Sequence, residues 1–240
     1  MAMIAARFAQ RSLPIVLLSV LVACGSRARD TGIVALSVIT RDFAFETSDS
    51  VPAGRVRMTM RNAGPSYHHV QVVRIERNLS WQEARDSLPE DGSLPSWMRA
   101  VGGAEGPDNY ARIVTVDLDL RSGLHLLICR IYAPDRRAHS AHGMVRPLHV
   151  GAYADRAVLR LRDADVTVRL LDYAFVAPDT LPSGLRTLRI ENRGRVDHHV
   201  ALARLAPGKS IANALREQAP GEPPPYDVLG GTTALAPGEH

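Results

Sequence analysis

Along much of this chain apolar and polar residues alternate with a period of two. Val56, Met58 and Met60 are interleaved with Arg55, Arg57, Thr59 and Arg61, and Val70 and Val72 continue the pattern. That period marks strands with one face turned to a core. Pro52-Ala53-Gly54 and Asn62-Ala63-Gly64 supply turn chemistry on either side of the first run. Further strands are predicted over Ile113–Leu120, Leu124–Ile131 and Val145–Val150. Only the segment after residue 79 leaves the pattern. There Ser80-Trp81-Gln82-Glu83 has the form of a capping box opening a short helix, followed by a Gly/Pro-rich loop from Pro89 to Pro107.

The pattern repeats. Asp42-Phe43-Ala44-Phe45 returns as Asp172-Tyr173-Ala174-Phe175, and Pro52-Ala53-Gly54 as Pro182-Ser183-Gly184. Asn62-Ala63-Gly64 returns as Asn192-Arg193-Gly194, and His68-His69-Val70 as His198-His199-Val200. Every pair is offset by 130 residues without a gap, which is the signature of a duplicated unit. The expected fold class is therefore all-β, with two Greek-key sandwiches that each carry a short helical insertion. The first domain spans 36–150, a connection covers 151–160, and the second domain covers 161–240 and is C-terminally incomplete. The counterpart of Cys129 would fall past His240, so copy two either belongs to a longer chain, the reading preferred here, or borrows strands from elsewhere.

The first residues read differently. Arg7 and Arg11 precede an apolar run from Leu13 to Val22, too short to span a bilayer and of the length of a secretory signal. It ends in Leu21-Val22-Ala23-Cys24, which resembles the lipobox of bacterial lipoproteins. That resemblance implies a signal peptide over 1–23, acylation of Cys24, a linker over 24–35, and a cell-envelope location in which membrane lipid is a partner through the acyl chains. The alternative is an ordinary cleavable signal that happens to contain a cysteine. The net charge of +4 is too small to suggest nucleic acid as a partner. With Cys24 acylated, Cys129 is left as the sole thiol and has no disulfide partner, so it is either inert and buried or a ligand. Gly208-Lys209-Ser210 is not a phosphate loop, because Ala203 stands where such a loop needs glycine.

Within copy one the metal-binding residue types fall in a telling order: His68 and His69, Cys129, His139, His142 and Met144. Two histidines and a cysteine with a weak axial methionine are the ligands of a blue-copper electron-transfer site. Asn62-x5-His68 and Cys129-x9-His139-x4-Met144 resemble the motifs of cupredoxins, over about residues 36–150 and, for its first half, 166–240. The Cys-to-His segment is longer than in plastocyanin. The resemblance implies one copper ion in domain 1, held by His68, Cys129, His139 and Met144, with Asn62 pinning the copper loop. Strand parity puts His68 on the face of Val70 and Val72, and His69 beside Gln71, so His68 is the preferred ligand and His69 takes a place where cupredoxins often have Asn. His125 and His149 are expected to face solvent, as is His142, whose alternative is to extend a second, weaker site. Arg130, Arg136, Arg137 and Arg146 give the loop region a basic rim, read either as solvated surface or as steering for an acidic redox partner protein.

Cys129 is flanked by Ile128 and Arg130, so the neighbouring histidine that links copper centres in nitrite reductases and multicopper oxidases is missing. The chain is accordingly expected not to be an enzyme. An envelope-bound electron carrier is the preferred function, beside a copper-handling module without redox work or a metal-free interaction module.

Overall fold

The structure is a computed structural model that describes residues 34–106, 113–153, 164–184, 186–216 and 224–240. The signal-like segment and Cys24 lie outside the described residues, as does much of the expected connection after residue 153. Copy one contributes β1 (Val34–Arg41), β2 (Ala44–Glu46), β3 (Ser50–Asn62), β4 (Val70–Ile75), α1 (Trp81–Asp86), β5 (Met98–Ala104), β6 (Ile113–Leu120), β7 (Gly123–Ile128) and β8 (Val145–Tyr153). Copy two contributes β9 (Val166–Leu171), β10 (Ala174–Val176), β11 (Leu188–Asn192), β12 (His198–Leu205), α2 (Ile211–Leu215) and β13 (Tyr226–Leu235). The protein is all-β, with one short α-helix per copy among the described residues. Each helix opens on a capping box: Ser80 with Glu83, and Ser210 with Asn213.

Ten strands form one hydrogen-bonded path in the order β12-β13-β5-β4-β7-β8-β3-β1-β2, with β6 added on β3. The long strand β3 is where the path changes layer. Ser50, Val51 and Ala53 pair with β8, whereas Gly54–Arg61 pair with β6 and Val56–Asn62 with β1. Gly54 sits at the switch with φ 111°, a conformation that only glycine adopts without strain. Leu36, Val38, Met58, Met60, Leu118 and Leu120 on one limb share a core with Val70, Val72, Leu127 and Leu148 on the other. The two limbs therefore face each other as a sandwich. The alternation read from the sequence fits this arrangement: Val56, Met58 and Met60 are fully buried, while Arg57 turns outward into a two-pronged pair with Asp117. On the far side of the second layer, Val73, Ile75, Met98, Leu126 and Ile128 are covered by α1 through Trp81 and Ala84.

That second covering layer corrects one expectation. His125 does not face solvent; it is fully buried, because β7 is covered on both faces and has no wet side. Burial pushes its pKa down to about 4, so it is neutral at physiological pH. His149, by contrast, is exposed.

The duplication is visible residue by residue. In copy one Thr40 lies opposite Asn62 and Phe45. In copy two Leu170 lies opposite Asn192 and Phe175, the positions 130 residues on. Phe43 and Tyr173 both adopt the left-handed backbone at the same turn, with φ of 58° and 65°. Beyond α2 the offset shortens, so that Gly230-Gly231 of β13 matches Gly102-Gly103 of β5. These two equivalent strands pair antiparallel, Ala104 opposite Thr232 and Leu235 opposite Val101. The strands of copy two thus continue the sheet of copy one, while β9, β10 and β11 form a separate three-stranded sheet over Val166, Val168 and Leu170.

Candidate metal centre

The candidate ligands come from three segments at one end of the copy-one sandwich. His68 precedes β4, on the stretch that follows the turn at residues 62–66. Asn62 shapes that turn: its Oδ1 accepts from Gly64 N (3.0 Å) and Thr40 Oγ1 (3.2 Å), and its Nδ2 donates to the Ser66 carbonyl (2.7 Å). Asn62 therefore pins the segment leading into His68. Those bonds tie Asn62 to β1 and to its own turn, on the side of His68.

The strand expected over Leu124–Ile131 stops sooner, with β7 ending at Ile128 and Cys129 just beyond it. From there the ladder gives way to bonds that close the loop upon itself. Cys129 N donates to the Met144 carbonyl (3.2 Å), Ser140 N to the Cys129 carbonyl (2.9 Å) and His139 N to the Ile131 carbonyl (2.8 Å). The long Cys-to-His segment is taken up by a small hairpin, bridged at Tyr132 and Ala138 and turned by Arg136 at φ 65°. His139–His142 then make a single 3₁₀ turn that ends on Gly143 at φ 98°, and Met144 N donates back to the His139 carbonyl (3.0 Å).

The result is a compact donor group. His68 Nδ1 lies 3.1 Å from His139 Nδ1, and Cys129 Sγ lies 3.5 Å from His139 Nδ1 and 4.0 Å from His68 Nδ1. His68 and Cys129 are fully buried and His139 is 4% exposed. Among the described residues this is the group of His, Cys, Asp or Glu side chains whose donor atoms converge as a metal site, all within 4.8 Å of one another. Met144 is also fully buried, in the same core as Cys129. One thiol sulfur and two imidazole nitrogens at this spacing fit a single transition-metal ion of the softer kind, copper included.

His69 points away from this group, as strand parity requires. Its Nε2 accepts a hydrogen bond from Arg130 N (2.8 Å), the peptide directly after Cys129. Its Nδ1 faces buried Glu105 at 3.8 Å, and Tyr67 OH donates to the same carboxylate (2.6 Å). Burial alone would raise the Glu105 pKa; the contacts with His69 and Tyr67 outweigh it and hold the carboxyl below its usual range. The residues that anchor the cysteine segment are thus His69, Glu105 and Tyr67. Asp42, which the motifs did not single out, stands instead behind His68. Its Oδ1 lies 3.0 Å from His68 Nε2. The repeat of Asp42 as Asp172 was the sequence signal available for it.

At the rim, Phe43 meets His139 edge-on (5.1 Å between centroids) and lies 4.9 Å from His142. His142 is only partly exposed and pairs with Asp135 at 3.1 Å. The basic rim is weaker than its arginine count implies, since Arg137 pairs with Glu90 and Arg146 with Asp49.

Electrostatics hold the donors neutral. Burial pushes the Cys129 thiol up to about 11. Burial and the neighbouring His68 push His139 down to about 4, and burial outweighs Asp42 to lower His68. A metal is bound by thiolate and neutral imidazole, so at pH 7 its entry must expel one thiol proton. Apparent affinity should therefore rise ~tenfold per pH unit across roughly pH 6 to 9. Competition titrations against a chelator at several pH values check this; a flat profile would exclude the thiol as a ligand.

No protein-family model and no curated protein matches the chain. Among solved structures it is similar to dithionite-reduced auracyanin from Roseiflexus castenholzii, with 15% identity, 49% of this chain and 97% of that chain covered, and a TM-score of 0.36. It is also similar to auracyanin A, a blue copper protein from Chloroflexus aurantiacus (18% identity, 50% and 99% covered, TM-score 0.34). Rusticyanin from Thiobacillus ferrooxidans matches at 14% identity, 50% and 77% covered, with a TM-score of 0.35. At such identities and TM-scores the donor geometry has to carry any functional reading by itself.

Proposed function

We propose that this protein is a membrane-anchored type 1 copper protein that carries single electrons, built from two cupredoxin-like copies of which the first holds one copper ion. One observation carries the reading: a buried thiol and two imidazole nitrogens converge within 4.8 Å on the end of a β-sandwich. His68, Cys129 and His139 would hold the ion, with the buried Met144 thioether as a further, weak donor. Copper bound there would supply one-electron exchange between Cu(II) and Cu(I). The chain's own part is to fix the donors beforehand. The bonds from Cys129 N, Ser140 N, His139 N and Met144 N close the loop, and His69 clamps its first peptide, so little need rearrange when charge on the ion changes. His139, under the edge of Phe43, is the donor nearest the surface and the natural exit for an electron toward a redox partner protein.

Acylation at Cys24 would place the carrier on the outer side of the cytoplasmic membrane or elsewhere in the envelope. No helix among the described residues is long and apolar enough to cross a membrane. We read the chain as a carrier rather than an enzyme, because one-electron transfer is the chemistry that such a donor set supplies.

A single preparation tests the reading. The full chain, expressed in a bacterial host, should be recovered by detergent from the membrane fraction, and on loading with Cu(II) it should turn blue and bleach reversibly with one electron. A colourless copper-loaded protein would sink the blue-copper reading, and recovery in the soluble fraction at unprocessed mass would sink the anchor.

A further inference from the structure

We propose that Asp42 is the positioning residue of the metal centre, its carboxylate orienting the His68 ring and lowering the reduction potential of the ion that the ring binds. The proposal rests on the copper reading above. The two nitrogens of His68 have separate surroundings: Nδ1 looks into the donor group, 3.1 Å from His139 Nδ1, while Nε2 lies 3.0 Å from Asp42 Oδ1. A carboxylate at Nε2 keeps the proton there and leaves the lone pair on Nδ1, the atom that faces Cys129. Before a metal binds, the proton on His139 Nδ1 can then point at that lone pair. With a metal bound, the negative charge behind the ring makes the imidazole a stronger donor and favours the more highly charged Cu(II) over Cu(I).

The seat for this carboxylate is built rather than incidental. Phe43 takes a left-handed conformation, φ 58°, which turns the chain directly after Asp42. Gly64 leaves the space, since a Cβ there would come 2.8 Å from Asp42 Oδ1 and 2.9 Å from Asp42 N. Ser66 N lies 3.3 Å from the same oxygen. The Asp42 side chain is 37% exposed, so solvent screens part of its charge and the effect on potential is bounded.

Copy two has the same seat without the thiol. Asp172 Oδ1 lies 3.1 Å from His198 Nε2, Gly194 again leaves the space, and residues 161–240 contain no cysteine. The pair therefore also ties the turn after β1 (or β9) to the start of β4 (or β12), and loss of stability alone would not reveal a role at the metal. Asp172→Asn removes that tie where, among the described residues, no such donor group stands, and serves as the internal control.

In the copper-loaded full chain, Asp42→Asn should keep the blue band while the Cu(II)/Cu(I) ratio at a fixed electrode potential falls about tenfold, an upward shift of about 59 mV for one electron. Asp172→Asn should leave the ratio unchanged. A wild-type ratio in Asp42→Asn would overturn the proposal, whatever happens to its stability. A second measurement stands if that variant fails to fold: in the metal-free wild type, nitrogen-15 NMR of the imidazoles should show His68 protonated on Nε2, and a proton on Nδ1 instead would overturn the proposal. That spectrum needs no copper, so its outcome is separable from the blue-copper reading itself.

Discussion

Cys129→Ser should abolish the visible colour of the copper-loaded protein completely. An intense band in the visible needs thiolate-to-Cu(II) charge transfer, which imidazole, hydroxyl and carboxylate ligands do not give. Cys24 and Cys129 are the only cysteines in the sequence, and Cys24 belongs to the proposed anchor, so Cys129 alone can supply the sulfur. A serine hydroxyl is harder, far less easily ionised, and a poor match for copper beside two imidazoles. Copper should still bind, more weakly, through His68 and His139. The fold should survive, because the backbone of Cys129 closes the loop through bonds to Met144 and Ser140, and a serine hydroxyl can still accept from the His69 and Ile131 backbone N–H groups that lie against the sulfur. Absorption and electron paramagnetic resonance of the same sample decide it: a Cys129→Ser protein that stays blue would remove the thiol from the site.

The parts of this site legible in the sequence were those fixed by periodicity. Alternation along Val70–Val72 sends His68 inward and His69 the other way, because successive strand side chains take opposite faces. The structure brings His68, Cys129 and His139 together and gives His69 a different task. The 130-residue repeat foretold a shared register, and Thr40↔Asn62 and Leu170↔Asn192 display it.

What alternation could not supply was what lies beyond each face. His125 reads as an outward residue, yet both faces of β7 are covered, one by the sandwich core and one by α1, and nothing local to residues 123–128 announces the second cover. The end of β7 at Ile128 was hidden for a related reason. The residues after it are apolar and strand-like, but their backbone bonds go to Ser140, His139 and Met144 across the loop. Side-chain partners were the least accessible. The motif gives Asn62 a place near the ligands, and its amide bonds within its own turn and to Thr40 of β1, while a bond to the cysteine segment comes from His69. Pairing of β13 with β5 had no local signature either. It joins two strands that are each other's counterparts, through glycines whose significance appears only when the strands meet.

Gly106 shows how closely the fold and the donor group depend on each other, and Gly106→Ala should both destabilise the protein and spoil the site. Gly106 follows β5 and its φ lies outside the left-handed range, so a positive φ is not what opposes alanine there. The obstacle is space. A Cβ at this position would overlap the His68 carbonyl oxygen and sit 3.2 Å from Met60 Cε. Met60 can give way, being the end of a flexible chain, but the carbonyl belongs to the backbone of a candidate ligand. That backbone is held from behind by the Asn62 turn and from in front by the first residues of β4. Relief must therefore come either from moving β5 away from β4, which strips ladder bonds, or from moving His68. Overpacking of this kind costs about 3 kcal/mol, which for a chain of this size is a fall in melting temperature of roughly 6–12 °C. Because the strain falls on His68, the visible band should shift or weaken even in the fraction that stays folded. Gly151→Ala is the control: its nearest neighbour, the Val51 carbonyl oxygen, is an ordinary 3.8 Å away, and melting temperature and spectrum should both stay at wild-type values. A Gly106→Ala protein that melts with the wild type and keeps its spectrum would mean that β5 does not approach His68 as closely as the geometry has it.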